Sequence, residues 1–142
     1  MKTQKKHVLK NLVLFGIILL TTSNILFSQE EFDIKANYTK QEYMIPMRDG
    51  IKLFTQVYTP HDKSQTYPVL LFRTPYSVQN YGVTNYRPYL GPNHLYAGEG
   101  FIFVYQDVRG KFKSEGEFVV MKPHQLNKRS AGDTDESSDT YD

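Results

Sequence analysis

Two uninterrupted apolar runs, Val69-Leu70-Leu71-Phe72 and Phe101-Ile102-Phe103-Val104-Tyr105, constrain the fold of this chain most. Pro68 or Gly100 precedes each run, and polar turn residues follow it. A strand with one wet face alternates apolar and polar residues, whereas a strand covered on both faces reads as a continuous run. Two covered strands in succession predict an α/β fold, a mostly parallel sheet flanked by helices. Parallel neighbours need a crossover. The stretch from Tyr86 to Gly98 is long enough for a helix, but Pro88, Gly91 and Pro92 break any long regular one. The reading is therefore a loop followed by a short helix around His94 to Ala97, closed by Gly98.

Ahead of these runs the period changes to two. Tyr43, Ile45 and Met47 share one face, Arg48-Asp49-Gly50 carries turn chemistry, and Ile51, Leu53, Thr55 and Val57 alternate again. This predicts an antiparallel hairpin over residues 41–58, with Gly50 supplying the positive φ of a tight turn. Pro46 has no N–H for a ladder, so the first strand should lie at an edge or end early. From Lys128 to Asp142 the chain is polar, with Asp and Ser placed for helix capping, and reads as a helix that has just begun at Asp142.

The N-terminal segment is of another kind. Lys2, Lys5, Lys6 and Lys10, the apolar run Leu12–Leu20 and then Thr21-Thr22-Ser23 have the order of a secretory signal peptide. The apolar run holds nine residues, and a membrane span takes about 20. Cleavage is expected at Ser28-Gln29, so residues 1–28 form the signal and 29–142 an exported domain, periplasmic or extracellular, with no stable membrane anchor after cleavage. The charge balance is 17 Lys+Arg against 15 Asp+Glu, and four of the bases lie in the signal. The remainder carries 13 against 15, a net charge of −2. Such a domain has no basic face for phosphates, and no nucleic-acid partner is expected. With no Cys in the chain, disulfides, thiolate metal sites, a Cys nucleophile and a lipoprotein anchor are excluded. The 114 residues from Gln29 are fewer than α/β enzymes usually need to complete a sheet covered on both faces.

The chemistry-bearing residues narrow quickly. A serine hydrolase of the α/β type carries its nucleophile on Gly-x-Ser-x-Gly, because the sharp strand-to-helix turn tolerates only small neighbours. This chain has no such motif. Phe112-Lys113-Ser114-Glu115-Gly116 approaches it but lacks the first Gly, and Ser114 reads as a turn serine. His61, His94 and His124 form no pair at metal-ligand spacing, so no metal or cofactor is expected. Asp133, Asp135, Glu136 and Asp139 fall in one hydrophilic stretch and read as a solvated face. Gly98-Glu99-Gly100 precedes a strand instead of following one, which excludes a dinucleotide fingerprint.

Two clusters remain. Arg73-Thr74-Pro75-Tyr76 follows the first buried strand and Asp107-Val108-Arg109-Gly110 the second, where α/β folds place binding and catalytic loops. Asp107 and Arg109 can lock their loop as a partly buried pair while Gly110 lets the backbone reverse. Ordinary strand-end turns with a surface ion pair fit the same residues.

Met47-Arg48-Asp49-Gly50-Ile51-Lys52-Leu53, Arg73-Thr74-Pro75-Tyr76, and Gln106-Asp107-Val108-Arg109-Gly110-Lys111 with Ser114-Glu115-Gly116-Glu117-Phe118 resemble, in order and spacing, the N-terminal part of the cocaine esterase and α-amino-acid ester hydrolase group. That group belongs to the X-Pro dipeptidyl-peptidase-like, S15-type α/β-hydrolases. The resemblance implies the N-terminal part of an α/β-hydrolase fold, incomplete here, in which an antiparallel hairpin leads into a mostly parallel sheet. It implies a Ser-His-Asp triad cleaving esters or amides, with small-molecule esters, amides or short peptides as substrates. The longer stretch from Met121 to Asp142 tilts the substrate towards α-amino acyl esters. Tyr76 then matches the family's oxyanion donor, while Arg73, Pro75, Asp107, Arg109 and Gly110 are structural residues near the site. The nucleophile, Asp and His of the triad would lie beyond Asp142, so the chain as given is expected to be an inactive fragment. Two alternatives stand beside this: an X-Pro dipeptidyl peptidase, and a small secreted β-rich binding domain without catalysis. The residues set no oligomeric state.

If the signal is cleaved as read, N-terminal sequencing of the exported protein begins at Gln29; exported material that still begins at Met1 would refute it.

Overall fold

The computed structural model describes residues 32–142. The signal-peptide reading of residues 1–28 lies outside them. A single turn of helix, α1 (Ile34–Asn37), capped by the Asp33 carboxylate on the Ala36 N–H, leads into strand β1 (Tyr38–Pro46). Strand β2 (Lys52–Pro60) returns antiparallel, from Tyr38 opposite Pro60 to Pro46 opposite Lys52. The hairpin is thus longer than the expected 41–58. Its turn is closed by the Met47 N–H to the Ile51 carbonyl and the Gly50 N–H to the Met47 carbonyl, both 2.8 Å. Gly50 has φ +85°, a conformation that side chains resist. Pro46 sits at the end of an edge strand, where its missing N–H leaves no inner ladder unpaired.

Both apolar runs form strands. β3 (Val69–Thr74) and β4 (Ile102–Asp107) pair in parallel, with Val69 opposite Ile102 and Thr74 opposite Asp107. β4 also pairs antiparallel with β2, giving the sheet order β1-β2-β4-β3. The fold is α/β with a mixed sheet and few helices. On one face Tyr38, Phe54, Tyr58, Phe103 and Tyr105 meet Val78, Leu90 and Ala97 from the long β3–β4 connection. Aromatic geometry orders this core. Phe72 stacks on Tyr105 at 5.1 Å, and Tyr58 meets Tyr105 edge-on at 5.9 Å. The other face receives the C-terminal helix α2 (Glu136–Tyr141) near the ends of β3 and β4.

Tyr43 and Ile45 share one face of β1, and the core lies on the other: Tyr43 is 44% exposed, and the buried positions of β1 are Tyr38 and Lys40. Only the first half of this edge strand is covered, by the loop that follows β3, and that loop presents carbonyls to a lysine. Two expectations need correction. β3 is not buried on both faces, since Val69 and Leu71 are 58% and 43% exposed. It is an edge strand among the described residues, and α2 reaches only its C-terminal end. Around His94 to Ala97 the chain makes successive turns, not a helix, with Gly98 and Glu99 N–H groups donating three residues back, each at 3.2 Å. Gly100, at φ +76°, and not Gly98, is the left-handed residue that ends them. The expected helix before Asp142 is present as α2, entered through a capping box between Asp135 and Ser138.

Because Phe103 is fully buried in the middle of the sheet, Phe103→Ala should lower unfolding free energy by about 3–5 kcal/mol. The exposed Gln41→Ala on β1 should change it by less than about 0.5 kcal/mol. Urea titration of both variants reads the difference.

Candidate active site

Parallel pairing of β3 and β4 brings the two strand-end clusters side by side, since Thr74 is opposite Asp107 and the Val108 N–H continues the ladder to the Thr74 carbonyl at 3.2 Å. Arg73, Pro75 and Tyr76 therefore lie next to Asp107, Arg109 and Gly110 at the carboxyl ends of the parallel strands. Crevices form there in open α/β sheets. An apolar cleft of about 350 Å³ lined by Asn93, Leu95, Tyr96, Glu99 and Phe101 lies instead by the start of β4 and contains none of these groups.

Tyr76 joins an exposed side chain to a held backbone. The residue is 83% exposed, while the Tyr76 N–H is held by the Thr74 hydroxyl at 3.0 Å. Pro75 adds a fixed φ just before it. Beyond Tyr76, Ser77 and Gln79 adopt φ +76° and +56°, conformations that cost side-chain-bearing residues of order 1–3 kcal/mol each and persist only where neighbours enforce them. The enforcing groups are visible. The Asp107 carboxylate, fully buried, accepts from the Val78 N–H and from the Tyr81 hydroxyl, both at 2.9 Å. The Arg87 guanidinium donates to the Val78 carbonyl while lying over the Tyr105 ring at 4.2 Å. Tyr81 also meets the Ser77 hydroxyl at 2.8 Å, and burial raises its phenol above the ordinary range, so it remains a donor.

Asp107 does not pair with Arg109, contrary to the sequence reading. Arg109 turns the other way. It donates Nε and Nη2 to Asp139 at 2.9 and 2.6 Å, and Nη1 to Asp49 at 2.7 Å. Strand alternation would put residues two apart on one face, but β4 ends at Asp107 and the chain is already turning at Arg109-Gly110, so the two side chains part. Gly110 has φ +67°, and a Cβ there would lie 2.2 Å from the Phe118 nitrogen. Hydrogen bonding to Asp139 raises the Arg109 pKa, so it is charged at every working pH. Burial pushes the Asp49 carboxyl up, but the Arg109 guanidinium and the Ile51 N–H outweigh it and hold the carboxyl below its usual range.

The acidic stretch is not simply a solvated face. Asp135 and Asp139 are buried, while Glu136 is exposed. Asp135 caps α2 and receives the Lys128 ammonium at 2.8 Å, which with backbone N–H donors holds its carboxyl far below the usual range. Arg73 ties β3 to α2, donating to Gln106 at 2.8 Å, to the Glu136 carbonyl at 2.9 Å and to Thr140 at 2.7 Å. Ser114 is as structural as a turn serine can be. Its buried hydroxyl donates to the Asp107 carbonyl at 2.6 Å and accepts from the Phe54 N–H at 2.8 Å. Sequence reasoning missed Lys40, Glu42, Gln56, Tyr81 and Arg87, all of which hold the loop after Tyr76. The one signal for Lys40 is its place two residues from Tyr38 on an alternating strand.

Residues 49–142 match the profile of the X-Pro dipeptidyl-peptidase (S15) family. The chain is 38% identical over 103 residues to the cocaine esterase of Rhodococcus sp. (strain MB1 Bresler), covering 71% of this chain and 17% of that protein. The crystal structure of an aminopeptidase from a marine sediment archaeon, Thaumarchaeota archaeon, aligns with a TM-score of 0.60 at 36% identity, covering 81% of this chain and 20% of that one. An α-amino acid ester hydrolase labelled with selenomethionine aligns with a TM-score of 0.58 at 32% identity, covering 80% and 20%. The chain spans about one fifth of the length of these relatives.

Removing one partner from a buried ion pair strands the other charge, so Arg109→Met should destabilise by about 3–5 kcal/mol. Asp49 has a lowered native pKa, so its share of stability is present above the unfolded value of about 3.9 and is lost as pH falls below it. Thermal melts from pH 7 downward should therefore show a shallower acid-side decline in Arg109→Met than in the wild type.

Proposed function

The chain belongs to the X-Pro dipeptidyl-peptidase (S15) family, and on that premise we propose that it is part of an exported serine hydrolase cleaving ester or amide bonds of small substrates through an acyl-enzyme. Within these residues Tyr76 is the catalytic one. Its phenol hydroxyl donates to the substrate carbonyl oxygen as that oxygen becomes negative, beside a backbone N–H from the residue after the nucleophile. The observation that carries this is a contrast within one loop. Backbone groups of Tyr76 and Val78 are bound by Thr74, Asp107 and Arg87, while Tyr76 is left 83% exposed at the carboxyl end of β3. A neutral donor on a fixed backbone meets developing charge with little reorganisation.

In the proposed reaction a serine hydroxyl adds to the carbonyl, and the oxyanion collapses to expel the alcohol or amine, which takes the serine's proton by way of a histidine. Water then releases the acid and restores the serine. Ser114 is not that nucleophile, because its hydroxyl is committed to Asp107 and Phe54. The triad is assigned to the remainder of the enzyme, and the 142 residues alone are expected to turn over no ester. Arg73, Pro75, Asp107, Arg109 and Gly110 support the loops around Tyr76.

An ester substrate, including α-amino acyl esters, is favoured by the likeness to the cocaine esterase and the α-amino acid ester hydrolase. Peptide substrates are the second reading, favoured by the family description and the aminopeptidase. A non-catalytic β-rich binding domain has the family membership against it. Export rests on Lys2 to Lys10 and the run Leu12–Leu20.

With the protein expressed from its complete reading frame, Tyr76→Phe should lower kcat by about 10²–10³-fold. KM should stay within about threefold and Tm should not move, because the exposed ring carries little packing. Assaying an α-amino acyl nitrophenyl ester against an X-Pro nitroanilide separates the two substrate classes. Undiminished kcat on both substrates would overturn the role of Tyr76.

A further inference from the structure

Lys40 stands on β1, far in sequence from the candidate site, and its side chain is fully buried. An ammonium taken out of water is unfavourable unless each N–H finds an acceptor. Here the acceptors are the main-chain carbonyls of Asn80, Gly82 (2.8 Å) and Asn85 (2.9 Å), all in the loop that begins at Tyr76. Glu42, two residues along the same strand, lies 3.2 Å from the ammonium and accepts the Gly82 N–H at 2.7 Å. Gln56 on β2 adds its side-chain amide to the Gln79 and Asn80 carbonyls at 2.9 and 3.2 Å. The loop's left-handed residues Gln79 and Asn80 thus sit where their carbonyls meet a buried cation and an amide.

A hydrophobic residue would serve as well for packing the edge strand, and burying a cation lends little stability of its own. What the cation adds is geometric: three carbonyls from separate points of one loop converge on a single atom. Asp107 on β4, and Arg87 lying over the β4 ring of Tyr105, hold the same loop at Val78. We propose that Lys40 is a positioning residue, anchoring the loop of residues 76–86 to the β1–β2 hairpin and thereby presenting the Tyr76 hydroxyl. The proposal rests on the oxyanion reading of Tyr76 and extends it to a residue on the opposite edge of the sheet.

The test is a double-mutant cycle on the protein expressed from its complete reading frame, with Lys40→Met, Tyr76→Phe and the pair, together with amide hydrogen exchange across the loop. Lys40→Met should lower kcat by about 10- to 100-fold with KM within about threefold, as expected of a misplaced catalytic group. Exchange should rise at Val78 and Gly82. The pair should lose no more than about threefold beyond Tyr76→Phe alone, since a donor already removed cannot be misplaced. Fully multiplicative losses, or unchanged exchange in Lys40→Met, would overturn the proposal. If Lys40→Met does not fold, Lys40→Arg goes through the same cycle; it keeps the charge that Glu42 faces but cannot converge three donors from one point. An inert Tyr76→Phe with raised exchange in the Lys40 variant would overturn the oxyanion reading and uphold Lys40 as the loop's anchor.

Discussion

A carboxylate shut away from water must find donors, and Asp107 at the end of the central strand β4 finds them in two different loops. Val78 and Tyr81 bring the β3 loop to its oxygens, and Ser114 brings the β4 loop to its main-chain carbonyl. Ser114 in turn accepts from Phe54 on β2. One residue thereby ties together both strand-end loops and the hairpin.

Arg109 does the complementary work two residues later. Its planar guanidinium spans Asp49 in the hairpin turn and Asp139 in α2, so the first turn and the last helix are fixed to the same point. Such a network adds specificity more surely than stability. Around Tyr76 the same logic yields a rigid backbone carrying a free ring. Left-handed backbone at Ser77 and Gln79 would relax if Asp107, Arg87 and Lys40 released the loop. Among the described residues the result is a bound main chain beneath an exposed side chain.

The apolar runs at Val69 and Phe101 were legible as adjacent strands because backbone and burial follow local patterning, and Arg48-Asp49-Gly50 was legible as a turn for the same reason. The capping of α2 could be read from Asp135 and Ser138. The burial of Asp135 and Asp139 could not, since their hydrophilic neighbours gave no hint that Lys128 and Arg109 would cover them. Which face of β1 is covered was not legible, because its cover is a loop offering carbonyls to Lys40, and no hydropathy pattern encodes that.

By itself the amino-acid order determined which segments are strands, where the chain reverses, and that Tyr76 follows one strand and Asp107 stands at the end of another. These properties depend on neighbours within a few residues, where propensity and sterics act. Only the tertiary structure decided that Asp107 holds the Tyr76 loop instead of Arg109, that Arg109 reaches Asp49 and Asp139, and that Lys40 is buried. Those outcomes turn on which polar groups arrive at the same dehydrated place from distant parts of the chain. There the requirement that each find a partner selects among pairings that the sequence alone leaves equal.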